Sequence, residues 1–181
     1  MASLTQTSLL STNIAFAIMN KLSPLVKGII TAAFMLGLTL YIFYSKQSPS
    51  SGLSYVIYIL YAAGITWTLI GYRNAANYTG KFGSLFGQGF RCFIIVTLIM
   101  VAFTGFFSAA HPEFAVEDAK NYKEYLDKEE KNKTPAEKDE MVKNLKNNYT
   151  TGLVWSATFG YLILGSIITA AGAGIILIRR K

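Results

Sequence analysis

Acidic side chains are missing from most of this chain. All ten Asp and Glu residues fall between Glu113 and Glu140, and none occurs before or after that segment. A soluble domain distributes charge along its length, so a 181-residue chain with its carboxylates confined in this way is not built around one aqueous surface. Cysteine is reduced to Cys92, which excludes an internal disulfide. With one histidine, His111, the chain has little from which to make a zinc-type metal site. No Asp, Glu, Lys, Arg or His lies in the middle of any long apolar run. Proton relays and ion-coupled carriers keep such a residue at the midplane despite its cost, and its absence argues against them. No nucleophile–base arrangement is visible either. We assign no catalytic, cofactor-binding or metal-ligating residue and expect a protein that is not an enzyme.

What the chain does contain is apolar: 52% of its residues are hydrophobic, and the mean hydropathy is +0.35. A bilayer core of about 30 Å requires roughly 20 apolar residues at 1.5 Å rise. Four stretches meet that length, at residues 25–44, 53–72, 92–110 and 153–178. The last would make about 39 Å of helix and has to tilt or protrude. Tyr41, Tyr44, Tyr55, Tyr58, Tyr72, Phe90 and Trp155 lie near the ends of these runs, where amphipathic rings prefer the headgroup level. Lys27, one turn into the first run, is expected to extend its stem to the interface. The expected fold class is all-α: a polytopic membrane protein with a four-transmembrane-helix bundle and a charged helical hairpin between helices 3 and 4. Residues 1–24 read as an interfacial or disordered tail. No basic region precedes their apolar part, so a secretory signal is not expected, and Met19 is an alternative start.

The formal net charge is +7, and its surplus sits on Lys21, Lys27, Arg73, Lys81, Arg91, Arg179, Arg180 and Lys181, all flanking apolar runs. That placement favours a lipid bilayer as partner and argues against nucleic acid. Charges hard against span ends place both termini, the loop at residues 73–91 and the basic end at 179–181 in the cytoplasm. The loop at residues 111–152 is then exported.

Within the exported loop, Ala115, Ala119, Tyr122 and Leu126 recur at helical spacing. Thr134-Pro135-Ala136-Glu137 has the form of a capping box with proline at the first helical position. A second helix then carries Met141, Leu145 and Tyr149 on one face. Residues 113–149 thus read as a helical hairpin on which a protein partner could dock; a solvated connector is the plainer alternative.

Lys81 to Arg91 is the most distinctive local stretch. Phe82, Leu85, Phe86 and Phe90 share a helical face ending at Arg91, which reads as an interfacial anchor. A phosphate loop would need a strand before it and Gly-Lys-Ser/Thr at its end, and it has neither. Small residues mark packing faces in lipid. The last run has Ser166, Ala170 and Gly174 at every fourth position with Gly165 beside them, the third has Gly105 and Ala109, and the first has Gly28 with Ala32 and Ala33 with Gly37. Packing within the chain is the simplest use of these faces, and a homo-oligomer is the other.

Met19-Asn20-Lys21-Leu22-Ser23-Pro24, the Phe-Gly-x-x-Phe-Gly-Gln-Gly-Phe-Arg stretch and a charged loop before a glycine-rich last span ending Arg-Arg-Lys together resemble a bacterial family. It is domain-of-unknown-function family 4199, of small four-span membrane proteins. The resemblance covers about residues 19–181 in order and type of element, and implies a bacterial inner membrane. It supplies no catalytic residues. The leading functional expectation is a non-enzymatic partner-binding or assembly component; the runner-up is a small oligomeric channel or carrier for an uncharged or lipidic substrate.

Overall fold

A computed structural model of the protein describes residues 22–45, 52–130 and 132–179, apart from the side chains of Leu53 and Ser54. Residues 1–21 of the expected tail and Arg180-Lys181 of the basic end fall outside the described residues. Six helices and no strand are present among the residues described. They are α1 (Pro24–Tyr44), α2 (Leu53–Arg73), α3 (Phe82–Ala110), α4 (Glu113–Glu129), α5 (Pro135–Asn147) and α6 (Tyr149–Ile178).

Local chemistry sets several of the helix ends. Ser23, in extended backbone, accepts from the Val26 N–H at 3.4 Å, and Pro24 follows where its missing N–H costs nothing. α2 closes on Arg73, a cation where the helix dipole is negative. The connection to α3 includes Gly80 at φ 70°, in the left-handed region that a Cβ disfavours. α3 then runs unbroken for 29 residues. The hydropathy limit drawn at Cys92 is therefore not a helix end: residues 82–91 are the first turns of the same helix, with Arg91 exposed. α5 opens on the expected capping box, in which Thr134 Oγ1 accepts from the Glu137 N–H at 3.3 Å and Glu137 accepts from the Thr134 N–H at 2.7 Å. Only Asn148 separates α5 from α6, which reaches back to Tyr149.

α1, α2, α3 and α6 are long and apolar enough to cross a membrane. Only 22–33% of each span's most apolar window is buried by protein. Phe34, Ile59, Leu98, Phe106, Ile163 and Ile167 all point outward. So much exposed aliphatic and aromatic surface is costly in water and ordinary in lipid. Five of the threonine hydroxyls inside the spans are satisfied at home. Thr31, Thr39, Thr68, Thr104 and Thr158 each donate to the carbonyl four residues back, at 2.7–3.0 Å. The chain is an all-helical membrane protein with four spans and a charged helical hairpin between the third and fourth.

Two units make up the chain: residues 1–99 with 161–181, and residues 100–160. In the first, Ala32 and Met35 of α1, Tyr61, Ile65 and Leu69 of α2, Leu85, Phe93 and Val96 of α3, and Ala173 and Ile176 of α6 form the core. Close backbone approach holds it together. A Cβ on Gly28 would stand 2.8 Å from the carbonyl oxygen of Cys92. On Gly165 it would meet the Tyr61 hydroxyl and the Phe93 ring, and on Gly89 it would meet Thr169. In the second unit α4 and α5 pack as a hairpin. The end of α3 is tied to the start of α6 by Ser108, whose hydroxyl donates to Thr150 Oγ1 at 2.7 Å.

Candidate functional site

A cavity of the first unit opens where α1 begins, α2 ends and α3 begins. It has a volume of about 620 Å³. Its wall is polar for a membrane helix bundle, with Ser23, Thr68, Asn74, Asn77 and Gln88 among the residues lining it. Lys27 lines it too and is only 2% exposed. Its Nζ stands 5.2 Å from the centre of the Trp67 ring. The quadrupole of an indole face attracts a cation at that range. Lys27 thus departs from the expectation that its stem would reach the interface: α2 covers it and offers an aromatic face. A sequence shows how far a lysine lies from a span end, but not which helix will close over it.

The position of Lys27 follows from local structure. It lies one turn after the Ser23 cap, and neighbouring Gly28 lets α1 approach the α3 backbone closely. Its carbonyl accepts from Thr31, which occupies the space beside Gly64. Nearby, Cys92 Sγ lies 3.8 Å from the Gly64 carbonyl, and Thr68 donates to that same oxygen at 3.0 Å. The residues around the lysine are thereby fixed before any ligand arrives.

The residues singled out in the sequence are spread over several environments. In α3, Leu85 is fully buried and Phe86 half-buried, while Phe82, Phe90 and Arg91 are exposed. Gln88, within the same stretch, is the residue that reaches the cavity wall. In α6 the buried line is Gly165, Thr169, Ala173 and Ile176. Ser166, Ala170 and Gly174 lie half-buried beside it, and a Cβ on Gly174 would meet nothing within 4 Å. Gly105 is half-buried with Val154 3.4 Å from where its Cβ would stand, and Ala109 is exposed. Tyr61, Gly64 and Gly89 carry close contacts that the sequence did not mark, while Gly28, marked with Ala32 as a packing face, lies close to the α3 backbone. Tyr61 is fully buried, donates to the Tyr161 carbonyl at 2.9 Å and lies 3.5 Å from Thr97 Oγ1.

The second unit presents a different surface. Ala119 and Leu126 of α4 are buried. Lys123 pairs with Asp139 at 2.7 Å and Lys138 with Asp127 at 3.4 Å, both across the hairpin. Hydrogen bonding to Asp139 holds the Lys123 ammonium above its usual range, as Glu130 does for Lys133 at the tip. His111 lies 2.7 Å from Glu113, whose carboxyl that hydrogen bond pulls below the usual range. Tyr149 donates to Asp118 at 2.6 Å, fixing the start of α6 against α4. Residues 113–130 carry seven acidic residues against three lysines, so α4 and its end are markedly acidic. Among the described residues no cluster of three or more His, Cys, Asp or Glu side chains is placed to hold a metal ion.

Among curated proteins and solved structures, nothing matches the chain. The profile of one protein family does match, over residues 25–177, which takes in all four spans and the whole hairpin. That coverage identifies the chain as a member of the family described as protein of unknown function (DUF4199).

Proposed function

We propose that the protein is a non-enzymatic binding component of a bacterial inner-membrane assembly, and that it engages a partner protein through the α4–α5 hairpin. The observation that carries this reading is the hairpin's own closure. A connector needs no internal ties, whereas this one has buried Ala119 and Leu126 and two ion pairs between its helices. A surface ordered beforehand loses less entropy when it binds. Its outer residues include Val116 and Tyr125, each more than half exposed, amid the acidic excess of α4. A partner with a basic face and an apolar contact would match that surface.

In this reading both termini are cytoplasmic and the hairpin lies outside the inner membrane, as the basic residues at the span ends favour. The partly covered Ser166, Ala170 and Gly174 edge of α6 leaves room for a second copy within the assembly. Photo-crosslinking residues placed at the exposed positions Val116 and Tyr125 in living membranes test the proposal. It expects one discrete adduct at each position, lost when Glu117 and Glu124 are both changed to Lys. Absence of any adduct, or adducts indifferent to that charge reversal, would contradict it.

A further inference from the structure

We propose that the cavity lined by Lys27 is a binding site for a phosphate-bearing anion, and that its source is the headgroup of an anionic glycerophospholipid. The proposal goes beyond the partner-binding reading, which concerns the other unit. A lysine almost wholly enclosed by protein lines an opening of about 620 Å³, large enough for a phosphate with a small polar alcohol attached. No Asp or Glu belongs to this unit or to the 21 residues before the described chain, so a bound anion would meet no carboxylate there.

The remaining wall supplies the complementary groups. Ser23 Oγ accepts from Val26 and keeps its own O–H to donate. The side-chain amides of Asn74, Asn77 and Gln88 offer both donors and acceptors. Thr68 has committed its proton to Gly64, leaving an oxygen that accepts only. Phosphate oxygens need donors and the hydroxyls of a glycerol headgroup need acceptors, and this lining provides both. The neighbouring Leu25 and Val26 are 47% and 38% exposed, which leaves an apolar path for acyl chains beside the opening. That path favours lipid over free phosphate.

The test uses the full-length protein, purified in a nonionic detergent and stripped of lipid by extended washing. It is titrated separately with dioctanoyl phosphatidylglycerol, dioctanoyl phosphatidylcholine and inorganic phosphate, with thermal stability and tryptophan emission as readouts. Phosphatidylglycerol is expected to raise the melting temperature and to bind roughly tenfold tighter than phosphatidylcholine, the scale of a charge-assisted hydrogen bond. Lys27→Gln should weaken it by tenfold or more on the same scale. Asn77→Ala, at an exposed position, and Gln88→Ala should each weaken it severalfold, and they decide the matter should Lys27→Gln fail to fold. Lys128→Gln on the hairpin controls for general attraction to a basic protein and should leave binding unchanged. A response to the lipid alone assigns the site to the headgroup. The same Asn77- and Gln88-dependent response to inorganic phosphate supports the anion site and assigns it to the free ion. Equal binding of the two lipids, no response to either anion, or binding indifferent to both amide variants overturns the proposal.

Discussion

Tyr61 brings together three of the helices in the first unit. It belongs to α2, donates to a carbonyl of α6 and lies beside Thr97 of α3. Gly165 is what lets it reach. In a helix the side chain at position i+4 crowds the carbonyl at i, and at Gly165 there is none to block the approach to Tyr161. Tyr61→Phe should therefore cost about 1 kcal/mol, the usual net worth of a buried hydrogen bond, measured by chemical unfolding in detergent. Gly28→Ala should cost about 1–3 kcal/mol, because its Cβ would press on a backbone oxygen that cannot rotate away. Gly174→Ala faces open space and should be nearly neutral in the same assay. At this scale the sequence is only partly readable. Two small-residue lines run side by side in the last span, Gly165-Thr169-Ala173 and Ser166-Ala170-Gly174. Composition cannot choose between them, because the choice depends on Tyr61 and Phe93, more than seventy residues away.

The elements themselves were far more legible, because their signals are local. The capping box at Thr134 lies within four residues, and hydropathy runs need no knowledge of a partner. The start of α3 was harder to read: Phe82 to Arg91 is glycine-rich and flanked by charge, yet nothing in it breaks the helix. The hairpin's ties also predict how it responds to pH. The Glu113 and Glu137 carboxyls are held below their ordinary value of 4.5 when folded, by His111 and by the Thr134 backbone. Their contribution is present above that value and is lost as pH falls through the lower folded values. Lys123 and Lys133 are held above their ordinary 10.5, so their contribution is complete below it and is lost as pH rises through the higher folded values. Both pairs are well exposed and the effect is screened by salt. Spin labels at Glu124 and Lys143, in a Cys92→Ser background, should report a narrow distance distribution at pH 7. The distribution should broaden as pH falls well below 4.5 and as it rises well above 10.5, and more so at low salt. Thr134→Ala should speed amide exchange in the first turn of α5 severalfold. Unchanged exchange would mean that the cap holds nothing.

For the whole molecule, the governing fact is the separation of charge from apolar length. With every carboxylate between Glu113 and Glu140, four long helices are left to face lipid, each hydrogen-bonded within itself. The sequence makes this plain. It does not show the environment of Lys27, because a cation one turn from a span end looks like an interfacial anchor until α2 is placed over it. α3 is the span on which the topology turns, since crossing it must carry the chain from one aqueous face to the other. Single cysteines at Asn77 and at Glu124, again in a Cys92→Ser background, bracket that crossing and test it directly. In the orientation proposed above, a membrane-impermeant maleimide added to intact cells should label residue 124 at once and residue 77 only after the membrane is opened. Equal labelling of both in intact cells, or protection of both, would contradict the four-span account.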